Sequence, residues 1–207
     1  MSDEEEKGED IKVILVGEPG TGKTSLINVS VGEKFQEITS STLLSTFVSK
    51  EYIIKGKKYI LNIWDTAGQE KYRAMTKIFI KDSKIVIFVY SIDNKESFEG
   101  LKSHWLNVIK DSLGDEPIYG LVGNKYDLFM KEEVKEDEAK EYAFQNDMKF
   151  QLVSAKEEPE TFINFVSSLL KEFLEKDDIA PKRKTIFINK EDNNNYNSNH
   201  KKNCCKK

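Results

Sequence analysis

Cysteine and histidine are scarce: the 207 residues hold two of each, Cys204, Cys205, His104 and His200. Two adjacent cysteines cannot build a disulfide framework. His200 beside them offers too few ligands, on a polar tail, to fix a tetrahedral zinc ion. Long apolar runs are missing as well, and none approaches the roughly 18 residues that a membrane-spanning helix needs. The first ten residues lack a basic start followed by an apolar stretch, so no secretory signal is expected. Ser2 in place of glycine excludes N-myristoylation. A formal net charge of −4 gives no basic excess, and no nucleic-acid partner is expected. What remains is a cytosolic-type chain, 38% hydrophobic and 33% charged, with a core diluted by polar extensions.

The charge is unevenly placed. Residues 1–10 carry six acids and one lysine, whereas residues 181–207 carry eight basic residues and two acids. Pro181 ends a long helical pattern, and beyond it the chain is Lys- and Asn-rich with too few apolar residues for a core. The expected organisation is an acidic disordered arm over 1–10, one domain over 11–180, and a flexible basic tail over 181–207.

Inside the domain two hydrophobic periods alternate. Ile11–Val16, Ile85–Tyr90 and Ile118–Val122 are short, nearly continuous apolar runs suited to parallel strands buried on both faces. Phe162, Phe165, Val166, Leu169, Leu170, Phe173 and Leu174 fall on one helical stripe. Val48–Ile54 and Tyr59–Trp64, joined by Lys55–Lys58, read as an antiparallel hairpin. The fold class is therefore α/β, a sheet with helices on both faces and one hairpin.

The first strand runs into Gly17-Glu18-Pro19-Gly20-Thr21-Gly22-Lys23-Thr24, followed by Ser25 and a helix. This is the G-x-x-x-x-G-K-[ST] pattern of a phosphate-binding loop. Its glycines let backbone N–H groups converge on phosphate oxygens, Lys23 adds a cation, and the Thr24 hydroxyl can coordinate Mg²⁺. The helix contributes its positive end. Asn124-Lys125-Tyr126-Asp127 follows a later strand, on the edge where open α/β sheets bind ligands. A carboxylate at Asp127 can accept from the ring N–H and exocyclic amine of guanine, a donor pair that adenine lacks. That argues against an ATPase. Ser154-Ala155-Lys156 closes the next strand and sets the Ala155 N–H toward the same base.

Together these segments resemble the small GTPases of the Ras superfamily, most of all the Rab family, over residues 11–177 and the C-terminal end. The resemblance implies a P-loop NTPase small G domain with a six-stranded, mostly parallel sheet and one antiparallel edge strand. Asp65-Thr66-Ala67-Gly68-Gln69-Glu70 matches the second switch. By that likeness Asp65 would hold Mg²⁺ through water, the Gly68 N–H would bind the γ-phosphate, and Gln69 would position the attacking water. Thr42 would ligate Mg²⁺ in the GTP state, and Phe35 would pack across the guanine edge. Lys23 would stabilise charge on the transferred phosphoryl group. Phe47, Trp64 and Phe79 stand where Rabs carry an aromatic effector surface. Only 26 residues separate Asp127 from Ser154, which leaves no room for the insert helix of Rho proteins.

Two departures stand out. Leu44 and Thr46 replace the glycine and aspartate usual in the first switch, and Pro19 replaces a small residue beside the catalytic glutamine. Proline has no N–H to donate, which bears on hydrolysis rate; a GTP-binding scaffold with little turnover is the alternative it suggests. Cys204-Cys205-Lys206-Lys207 resembles the C-C-x-x ending that Rabs use for double geranylgeranylation, and two chains suffice for stable anchoring. The family likeness then implies an exchange factor, a GAP, effectors, and the escort and GDI proteins that handle the lipids. It also implies residence on the cytoplasmic face of an endomembrane, a cytosolic GDI-bound pool, and a monomeric G domain.

Overall fold

The structure, a computed structural model, describes residues 8–37, 46–65 and 79–179. Six strands form one sheet in the order β2-β3-β1-β4-β5-β6. They are β1 (Glu9–Val16), β2 (Thr46–Ile54), β3 (Lys57–Asp65), β4 (Ile85–Ser91), β5 (Ile118–Asn124) and β6 (Met148–Leu152). Every pairing is parallel except β2 with β3, so the antiparallel strand lies at an edge as the hairpin pattern implies.

The apolar runs explain the layers. Side chains alternate across a strand, so Val13 and Leu15 enter one core while Ile14 and Val16 enter the other. The first core is covered by α1 (Lys23–Ser30) through Leu26 and Ile27 and by α5 (Pro159–Ile179). The α5 stripe fits the spacing: Phe162, Phe165, Val166, Leu169 and Leu170 are buried, with Phe173 and Leu174 packed at the margin. The second core lies under α2 (Lys95–Gly100), α3 (Leu106–Leu113) and α4 (Glu136–Gln145), through Phe98, Ile109, Ala139 and Ala143. Asn94 caps α2, its side chain accepting from the Ser97 N–H at 2.8 Å.

Two local features differ from the sequence reading. β1 begins at Glu9, two residues before the expected domain start, because Glu9 and Asp10 pair with Tyr59 and Ile60 on β3. Lys57 adds an ion pair to Glu9 at 2.9 Å, and Asn62 donates to Asp10 at 3.0 Å. The hairpin turn is two residues rather than four. Lys55 and Gly56 have φ of 51° and 78°, the double positive φ of a tight hairpin turn, and Lys57 and Lys58 join the ladder opposite Ile54 and Ile53. The sequence reading assigns no element to residues 95–113, where α2 and α3 are joined by a π-helical turn, Leu101–Trp105.

Parallel strands bring their C-terminal ends to one edge. Gly17 after β1, Asp65 at the end of β3, Ser91 on β4, Asn124 on β5 and the 153–155 segment after β6 all collect there. The described residues that the sequence reading names for phosphate, Mg²⁺ and base binding lie on or beside that edge.

Candidate nucleotide site

Gly17 to Thr24 wrap from β1 into α1. Two of the glycines are required by close approach. A Cβ on Gly17 would stand 2.1 Å from the Val89 carbonyl oxygen, and one on Gly22 would stand 2.3 Å from Asn124 Nδ2. Both residues also have positive φ, 150° and 89°. Within the loop the Lys23 ammonium donates to the Gly17 and Glu18 carbonyls, each at 2.9 Å, and Thr21 Oγ1 donates to the same Glu18 oxygen at 2.9 Å. Lys23 is buried, and that burial pushes its pKa down to about 8 against the opposing charges of Asp65 and Glu18. A polyphosphate brought into the loop would supply the anionic partner such a lysine favours. Pro19 and Gly20 lie exposed at the rim, and Ser25 is half-buried in the first turn of α1.

Thr24 Oγ1 donates to Asp65 Oδ2 at 2.6 Å, joining the first turn of α1 to the end of β3. A hydroxyl and a carboxylate this close, on a buried aspartate, are the hard oxygen donors that suit Mg²⁺, which takes few protein ligands and completes its shell with water and substrate phosphates. The residues present fit that ion. Among the described residues no group of three or more His, Cys, Asp or Glu side chains could hold a different metal.

The segments 124–127 and 154–156, expected from sequence to meet the base, converge on the same loop. Asn124, which is buried, donates from Nδ2 to the Thr21 carbonyl at 2.8 Å, and its Oδ1 accepts from the Ala155 N–H at 3.4 Å. One side chain thus ties the phosphate loop to the Ser154–Lys156 segment. Ser154 Oγ donates to Asp127 Oδ1 at 2.6 Å and accepts from the Glu157 N–H at 3.0 Å, fixing the carboxylate's orientation. The Tyr126 N–H donates to the Val153 carbonyl at 3.0 Å and keeps the two loops in register. Lys125 adopts a left-handed backbone, φ 63°, with its ammonium 3.9 Å from Asp93. Lys156 is exposed, 3.8 Å from Glu37. Phe35 is half-buried against the core on the α1 side.

Phe47, Trp64 and Phe79 form one aromatic row. The Phe47 and Trp64 rings stack at 4.9 Å, Trp64 and Phe79 lie 6.1 Å apart, and Phe47 is 54% exposed. Lys12 sits over Trp64 at 4.9 Å. Thr42, Gly68, Gln69, Cys204 and Cys205 lie outside the described residues, as do most of the expected arm and the whole expected tail. Sequence reasoning missed one contact: Trp105 Nε1 donates to Glu18 Oε1 at 3.0 Å across 87 positions, a separation no local pattern signals.

Comparison with known proteins agrees with this geometry. The Ras family profile matches residues 12–176. Ras-related protein Rab-21 of Geodia cydonium is 40% identical over 162 residues, covering 77% of this chain and 70% of that protein. The Homo sapiens Rab-21 is 40% identical over 146 residues, covering 70% and 64%. Ras-related protein Rab-12 of Mus musculus is 35% identical over 165 residues, covering 78% and 68%. On these matches the chain belongs to the Ras family and is a Rab-like small GTPase.

Proposed function

We propose that this chain is a membrane-anchored switch in vesicle trafficking, which binds GTP and GDP with Mg²⁺ and hydrolyses GTP slowly. The observation that carries the reading is the Asn124 side chain, which joins the phosphate loop at Thr21 to the base-recognition segment at Ala155. Phosphate and base are thereby bound as parts of one ligand. Asp127, oriented by Ser154, accepts from the guanine edge. Gly17, Gly20, Gly22 and the start of α1 present N–H groups to the phosphates. Lys23 stabilises charge developing on the transferred phosphoryl oxygens, and Gln69 orients the water for in-line attack. Thr24, Thr42 and Asp65 would hold Mg²⁺, whose chemistry is to neutralise charge on the β- and γ-phosphates.

The output is a binding state. Ordering of the segments around Thr42 and Gly68 by the γ-phosphate, and their release on hydrolysis, would expose or withdraw the Phe47–Trp64–Phe79 row to effectors. An exchange factor reloads the site, a GAP accelerates hydrolysis, and geranylgeranyl groups on Cys204 and Cys205 place the domain on an endomembrane. Escort protein and GDI handle those lipids and maintain a cytosolic pool. Pro19, exposed at the loop rim, favours a second reading in which nucleotide loads normally but scarcely turns over.

Competition binding tests the guanine assignment. Replacement of Asp127 by Asn should cut GTP affinity by about 10- to 100-fold, the size of a lost charge-assisted pair, and shift preference toward xanthosine triphosphate. Unchanged preference for GTP in the variant would remove the base-recognition role.

A further inference from the structure

Glu18 is an acid inside a loop built for phosphate, and the structure handles its charge in a specific way. Its carbonyl faces the loop interior, taking Lys23 and Thr21 at 2.9 Å each. Its carboxylate accepts from the Trp105 indole N–H at 3.0 Å. Trp105 is 1% exposed, within the second core. A buried indole N–H requires an acceptor, so the contact serves both sides.

The receptor for this carboxylate is assembled from two further features. Trp105 closes the π-helical turn Leu101–Trp105, an irregularity of a kind that recurs at functional sites. Gly100, just before that turn, leaves the space: a Cβ there would lie 2.7 Å from both Glu18 Cγ and Oε1. A regular helix with an ordinary side chain at position 100 would crowd the carboxylate out.

We propose that Trp105 is a positioning residue for nucleotide binding, whose indole N–H, with Gly100, parks the Glu18 carboxylate away from the phosphate cradle. Unparked, a negative charge at the second position of the loop opposes the di- or triphosphate through like-charge repulsion. The inference rests on the guanine-nucleotide reading above.

The test is GDP release from the full chain, loaded with a fluorescent GDP in Mg²⁺ and chased with excess unlabelled GDP. Trp105→Phe keeps the ring and removes the donor. It should speed release about five- to tenfold at low salt, with the difference shrinking at high salt as screening grows. Adding Glu18→Gln removes the charge and should bring the double variant back to within about twofold of the parent. A merely structural indole would leave the double variant as fast as Trp105→Phe. That result, or a single variant no faster than the parent, overturns the proposal. If Trp105→Phe does not fold, Gly100→Ala displaces the carboxylate with the indole intact and should show the same acceleration and the same Gln rescue. Failure of the parent chain to bind GDP at all would count against the nucleotide reading itself and is seen before any variant is made.

Discussion

At the scale of single residues, Asn124 has the widest reach. Its amide meets Thr21 on one loop and Ala155 on another, and it fills the space beside Gly22 where a Cβ would collide. Asn124→Ala leaves the buried Thr21 carbonyl without that donor and frees two loops from each other. The expected cost is about 1–3 kcal/mol in unfolding free energy, measured by urea titration, with a loss of GDP affinity of tenfold or more. A variant with parental affinity would show that the loops are set without it. The residues of this site were legible in sequence wherever the chemistry is local. Lys23, Thr24 and Asp127 sit in motifs from whose spacing their proposed roles are read. Asn124 was legible as a motif member, but its double attachment was not, since one bond crosses 103 positions. Trp105 was invisible for the same reason.

At the scale of elements, short continuous apolar runs marked the buried strands and a period-3.6 stripe marked the long helix, because burial enforces both. Phe162 on α5 is fully buried in the first core. Phe162→Ala should lower stability by about 3–5 kcal/mol, read from denaturant midpoints at unchanged slope. The turn at Lys55-Gly56 and the π-helical turn at Leu101–Trp105 escaped the patterns, since neither changes which residues are apolar. The elements also carry a pH signature. Burial is the leading cause that raises Tyr52, Tyr119 and Tyr142 to about 12 from an ordinary 10.0, and it raises Tyr90 further. The unfolded chain gives up these protons first, so the contribution to stability is whole below pH 10 and is lost as pH rises through about 12. Lys23, lowered by burial from 10.5 to about 8, acts with the opposite sign between those two values. Melting temperature should therefore fall most clearly above pH 10.5. Constant melting between pH 10.5 and 12 would contradict the burial of these hydroxyls.

At the scale of the whole molecule, the proposed function places nucleotide binding on the domain and membrane attachment on Cys204 and Cys205. Among the described residues no helix is long and apolar enough to cross a membrane; membrane residence belongs to the proposal that Cys204 and Cys205 carry lipids. Replacing both by Ser should move the protein entirely to the soluble fraction of a cell lysate; retention on membranes would remove the lipid argument. The domain's fold was legible from alternating patterns, whereas the switches gain meaning only from nucleotide state, which a sequence does not encode directly. The central claim is that this site turns GTP over. Its most direct test is single-turnover hydrolysis of preloaded γ-labelled GTP with Mg²⁺, run beside Gln69→Leu. Slow phosphate release that the variant abolishes is the result expected of a switching GTPase with Pro19 accommodated in its loop. Nucleotide that stays bound as GTP in both proteins would contradict it and leave a GTP-loaded scaffold reset only by exchange.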